Sequence, residues 1–217
     1  MALELAIVAM CLIVIVLLPM IGVAIAFVAM TSYILISKDR MSKVKELGFK
    51  KPNNWWKTIL TTIALALLIQ LSFMVIFDPL IESATSSRLD LSGVEHVKGN
   101  VTNFFIMLGV GWIIGGFLEE ILFRGFLLNR ISNIFKSRVL GDAIAILITC
   151  GSFGYSHLYQ GLSGMISTGF ISAIIAIIYI SFNRNIWYAI LTHGFINTFA
   201  FTIIYFDYIE WLSSLLF

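Results

Sequence analysis

Charge is what this chain has least of, and that sets its class. Charged residues make up 12% and hydrophobic residues 59% of 217, against about 25% and 45–50% in soluble domains. Cysteine occurs only twice, as Cys11 and Cys150, each inside an apolar run. Both read as small buried hydrophobes, which excludes a disulfide framework and a cysteine metal site. The sequence has no Gly-rich phosphate loop, no Cys-x-x-Cys pair, no His-Glu-x-x-His and no dense basic-aromatic patch. Nucleotide, redox and nucleic-acid functions therefore lack their usual signatures. No nucleic-acid partner is expected, and no cofactor.

What is present is a series of apolar runs, each near the roughly 20 residues that cross a bilayer. The expected fold is all-α, a polytopic membrane bundle of about six transmembrane helices. The first run, Ala2 to Ser37, is interrupted only by Glu4. It lacks the positive n-region of a signal peptide. It is expected to form one long span kinked at Pro19, because nothing polar near Pro19 would make a wet turn. A basic segment from Lys38 to Lys57 follows, ending in Asn53-Asn54-Trp55-Trp56, a turn and an interfacial aromatic pair. Further spans are expected at Ile59 to Phe77, Asn103 to Leu128, Leu140 to His157, Met165 to Phe182 and Ile186 to Phe206. Asp78 to Asn100 is a polar loop, Leu158 to Gly164 a short one, and Asn183-Arg184-Asn185 a tight turn. This divides the chain into N-terminal membrane helices with a basic cytoplasmic loop (1–102), a catalytic helix core (103–206) and an interfacial tail (207–217).

Twelve of the fourteen Lys and Arg fall on one side of this arrangement; only Arg88 and Lys98 fall on the other. The positive-inside rule then places the basic side in the cytoplasm. With one initial span, both termini lie outside.

Chemistry concentrates in three places. Between Asn103 and Leu128 the only ionisable residues are Glu119, Glu120 and Arg124. A charge at mid-bilayer costs about 2.5 to 17 kcal/mol, so an intramembrane acid is a functional candidate by default. Glu120 and Arg124 are i, i+4 and can pair in the favoured order. Glu119 is rotated about 100° away and faces elsewhere, toward the bundle interior, as a candidate general base or acid. The second place is Phe153-Gly154-Tyr155-Ser156-His157, with Phe153 and His157 on one face. The third is His193-Gly194-Phe195-Ile196-Asn197, with His193 and Asn197 on one face. Gly154 and Gly194 permit close helix approach. Counted from the basic ends at 1.5 Å per residue, Glu119 lies about 16 Å deep, His193 about 12 Å, Asn197 about 18 Å and His157 about 25 Å. By that sum His157 is about two turns too far.

EExxxR, FxxxH and HxxxN, in that order on separate membrane helices, resemble the CPBP family. These are the CAAX prenyl-protein endopeptidases and their Abi-type relatives in bacteriocin processing and self-immunity. The resemblance runs from about Phe105 to Phe201. It implies an intramembrane endopeptidase in which Glu119 and His157 activate a water, His193 and Asn197 stabilise the oxyanion, and Glu120 with Arg124 support the site. It also implies a metal-independent glutamate mechanism. The expected setting is a prokaryotic cell membrane, with the active site opening to the cytoplasmic side and a membrane-associated peptide or protein as substrate.

Other readings stay open at this level. A purely structural Glu120–Arg124 pair is one alternative. His157 could cap a helix end, and His193 with Asn197 could join helices. Glu119, His157 and His193 would make a zinc site with an open position. A scaffold or immunity protein would keep the fold without catalysis. A proton-coupled transporter would show inverted repeats, and none is visible.

Overall fold

The computed structural model describes residues 2–19 and 21–208. The expected interfacial tail beyond residue 208, with Trp211, lies outside the described residues. Every regular element described is helical. Five helices are long and apolar enough to cross a membrane. They are α4 (Trp55–Thr85), α5 (Val101–Ser132), α6 (Arg138–Ser156), α7 (Gly161–Ser181, preceded by a 3₁₀ turn) and α8 (Ile186–Tyr205). Four of them start behind a side-chain N-cap, as their sequences allow: Asn54, Asn100, Ser137 and Asn185. The chain is an integral membrane protein built as a polytopic helical bundle.

The N-terminal run departs from expectation. It is two short helices, α1 (Ala2–Leu17) and α2 (Gly22–Ile36), folded back on each other. Cys11 Sγ donates to the Ala26 carbonyl at 3.6 Å, and Gly22 lies against Val14 and Ile15. A Cβ on Gly22 would sit 2.4 Å from the Val14 carbonyl oxygen, so glycine is required there. Pro19 ends α1, and the turn meets its own polar needs. The amides of Ile21 and Gly22 both donate to the Leu18 carbonyl, which is what apolar surroundings demand. At 16 and 15 residues these helices are about 24 and 22 Å long, short of the roughly 30 Å of hydrocarbon.

The hairpin also moves the N-terminus. Glu4 pairs with Arg130, and Arg130 also reaches Glu46 at 2.7 Å. Residue 4 thus sits among the basic loops, not on the opposite face as expected. The positive charge that holds it comes from another segment. A short helix, α3 (Arg40–Glu46), follows on the same face. Gly48 accepts from the Ile186 amide, and Lys50 Nζ donates to the Asn183 carbonyl. Asn183 and Arg184 take left-handed φ of 55° and 54° in the expected tight turn. The opposite face gathers Asp90 with Gln160, Ser87 with Ser163, and Gly99 with Tyr205.

The second span is longer than expected. It runs past Phe77 to Thr85 because Pro79 is absorbed by a π-turn at Phe73–Phe77, where the Asp78 amide reaches back to Phe73. Proline removes one ladder bond, and an i→i+5 turn accommodates the gap.

Helix α5 is the centre of the bundle. Every residue from Glu120 to Ser132 is buried, and the hairpin helps to cover it, with Tyr33 meeting Phe126 at 6.3 Å between ring centroids. Its first half faces outward with apolar side chains such as Phe105, Ile106 and Ile113. Cys11 and Cys150 are buried free thiols.

Candidate active site

The centre of α5 is wound as π-helix over Gly111–Glu119 and again over Ile121–Leu128. Such wide turns concentrate at functional sites. The two adjacent glutamates nevertheless face different surroundings. Glu120 is 0% exposed and Arg124 1%. Arg124 Nη1 donates to Glu120 Oε1 at 2.8 Å, and Nη2 donates to the backbone oxygen and hydroxyl of Ser172 at 2.7 and 2.8 Å. His193 Nδ1 meets the same Glu120 oxygen at 2.7 Å. Facing a carboxylate, Nδ1 carries the hydrogen and Nε2 is left for another partner. The i, i+4 pair is therefore formed, and its bonds run to His193 on α8 and Ser172 on α7, joining three helices.

Glu119 is only partly buried and lines a cavity of about 530 Å³ together with Ser156, His157 and Tyr159. His157 Nδ1 lies 2.9 Å from the Phe153 carbonyl. A carbonyl only accepts, so Nδ1 donates, and neutral His157 presents Nε2 as an acceptor. Phe153 joins the two halves of the constellation. It stacks on His157 at 4.8 Å, meets His193 edge-on at 6.0 Å and lies under the Arg124 guanidinium at 5.2 Å.

The depth discrepancy of His157 closes through helix register. Gly141 lies against Ser132: a Cβ there would be 2.3 Å from the Ser132 carbonyl oxygen, and Ser132 bonds Asp142. Counted from this contact, Glu119 is about 20 Å and His157 about 24 Å along their helices. The remaining gap is less than one turn. The cavity's polar end is formed by the α6–α7 connection, at the end of α6 remote from the basic loops.

Asn197 donates to the Gly111 carbonyl at 2.9 Å. It and His193 approach α5 over Gly115, where a Cβ would lie 2.7 Å from Asn197 Nδ2 and 3.4 Å from His193 Nε2. Sequence reasoning passed over Gly111, Gly115 and Gly116. The signal was Gly111-x-x-x-Gly115, a spacing that lets membrane helices touch backbones. Gly194 lies against the Trp112 ring, whose Nε1 donates to Thr198 at 3.0 Å. Gly154 abuts Gly169 in the same way. Ser172 was also missed; nothing in its local sequence marks it.

Residues 101–199 match the family model described as type II CAAX prenyl endopeptidase Rce1-like. The match spans 99 of the 217 residues, a little under half of the chain, and makes this region similar to CPBP-family intramembrane proteases. Comparison with curated proteins and with solved structures gives no match. The matched region contains all three polar signatures, and α1 to α4 lie outside it. The match supports the fold of a CAAX-type intramembrane endopeptidase for this membrane protein.

For the alternative zinc site on Glu119, His157 and His193, His193 Nδ1 is engaged by Glu120 and His157 Nδ1 by the Phe153 carbonyl, which leaves both Nε2 atoms as the nitrogens a metal would take. Among the described residues no three His, Cys, Asp or Glu are grouped as metal ligands.

Proposed function

We propose that this CPBP protein is a glutamate-type intramembrane endopeptidase acting on a membrane-associated peptide or protein. The observation that carries the reading is that Glu119 and His157, from different helices, line one cavity, with His157 Nε2 left as an acceptor. Glu119, ionised, takes a proton from a water that also hydrogen-bonds to His157 Nε2. The resulting hydroxide attacks the peptide carbonyl carbon. The proton on Glu119 then passes to the leaving amine as the C–N bond breaks.

The developing oxyanion is met by donors from α8. Asn197 offers its side-chain amide, and His193 offers Nε2–H in its protonated form, with Glu120 between His193 and Arg124 as counter-ion. Glu120 and Arg124 are positioning residues that act through His193. Both α8 donors lie directly against Gly115 of α5, so the substrate carbonyl is taken to meet them there.

The test is cleavage of membrane peptides by purified protein in detergent. Glu119→Ala should remain folded and inserted yet lose cleavage. Comparing the membrane peptidome with and without that variant identifies substrates. Full cleavage by Glu119→Ala would refute the assignment. A cellular phenotype that survives loss of both Glu119 and His157 would favour a non-catalytic scaffold.

A further inference from the structure

The cavity beside Glu119 is chemically two-ended. Glu119, Ser156, His157 and Tyr159 gather at one end. The rest of its lining is apolar, from Ile114 and Leu118 on α5 and from Pro19, Val23, Ala24, Phe27 and Val28 on the hairpin. Val23, Ala24 and Phe27 of α2 thus stand across from Ile114 and Leu118. A volume of about 530 Å³ is within the usual range for a small-ligand site.

We propose that the α1–α2 hairpin is the selecting wall of this site. It holds an apolar side chain of the substrate between α2 and α5 while the scissile amide lies at the polar end. The proposal rests on the peptidase reading above. The two-ended lining fits an occupant that is apolar on one side and carries an amide on the other, as a peptide does. A lipid chain would leave the polar end unmatched. The wall is also held in place. Gly22 packs against Val14 and Ile15, Cys11 bonds the Ala26 carbonyl, and Glu4 is clasped by Arg130. It lies outside residues 101–199, so the family core supplies the polar groups and a separate N-terminal element supplies the fit. In apolar pockets one methylene changes kcat/KM by about 10- to 200-fold. Ala24 has the smallest side chain in the wall and Phe27 the largest, so each sets a size limit.

Two measurements test this. The first profiles cleavage sites by mass spectrometry on one defined library of apolar peptides, for wild type, Ala24→Phe and Phe27→Ala. Val139→Ala, at an exposed position on α6, is the control. Ala24→Phe should shift cleavage toward small flanking side chains, and Phe27→Ala toward bulky ones, each by at least about 10-fold in relative kcat/KM. Profiles that coincide with wild type, while cleavage stays dependent on Glu119, would overturn the selecting wall and leave the peptidase reading standing. The second measurement needs no turnover. Peptides of the same library carrying one benzoylphenylalanine are photo-crosslinked to Glu119→Gln protein. Adducts should map to Val23, Ala24 or Phe27. Adducts confined to other helices, or displaced by added phospholipid but not by unlabelled peptide, would overturn the proposal. Adducts on α2 with no cleavage by wild type would refute the peptidase reading and keep the binding wall.

Discussion

Arg124→Met isolates the buried ion pair on which the candidate site is assembled. Wild-type Arg124 forks: Nη1 serves Glu120 and Nη2 serves both Ser172 oxygens, all at 2.7–2.8 Å. Glu120 is fully buried, and its Oε2 has no hydrogen-bond partner among the described residues. Methionine preserves much of the volume but leaves Glu120 facing His193 alone. Removing one member of a buried pair costs about 3–5 kcal/mol. For a chain of this size that is about 6–20 °C in Tm. Arg124→Lys should rescue little, because one ammonium cannot reach both partners of a planar fork. Glu120→Met should cost a similar amount by stranding Arg124. The double variant Glu120→Met with Arg124→Met should recover most of the loss, since an apolar replacement of both charges is often neutral. It should still be inactive, because His193 Nδ1 then has no acceptor. The assay is thermal unfolding in detergent of wild type and all four variants, paired with peptide cleavage. A coupling of about 2 kcal/mol or more is expected between neighbours joined this closely. An Arg124→Met protein melting within about 2 °C of wild type, or two singles that simply add, would refute the reasoning.

Other outcomes follow from the same geometry. Gly115→Ala would place a methyl 2.7 Å from Asn197 Nδ2; it should push Asn197 back and lower kcat by about 10-fold or more with the fold retained, and unchanged kcat would remove Asn197 from the oxyanion role. Gly22→Val should pry α2 off α1, costing about 1–3 kcal/mol, measurable as a lowered Tm; an unchanged Tm would refute the close hairpin contact. Exhaustive chelation should leave cleavage intact, and cleavage that disappears with the metal and returns on adding zinc would replace the glutamate mechanism by a metal one. Asn197→Ala should lower kcat by about 10²- to 10³-fold, as loss of one oxyanion donor does elsewhere, and a loss confined to KM would make it a binding residue.

Much of this architecture was written in local pattern. Hydropathy located the long spans, the near absence of charge between Asn103 and Leu128 marked Glu119, Glu120 and Arg124, and i, i+4 spacing predicted the Glu120–Arg124 pair that forms. Phe153 and His157 share a face and stack, as their spacing implied. These features depend only on a helix's own period and on the cost of charge in lipid, so one chain carries them unaided. What it could not carry was register between helices. The contact of Ser132 with Gly141 brought His157 within one helical turn of the depth of Glu119, and the meeting of α5 and α8 gave Glu120 to His193. Nor could apolar composition tell a span from a hairpin, because both must be apolar and both must satisfy their own backbone bonds. Pro19 and Gly22 permit either a kink or a reversal. Only packing of α2 back on α1 and against α5 decided for reversal, and so placed the hairpin beside Glu119.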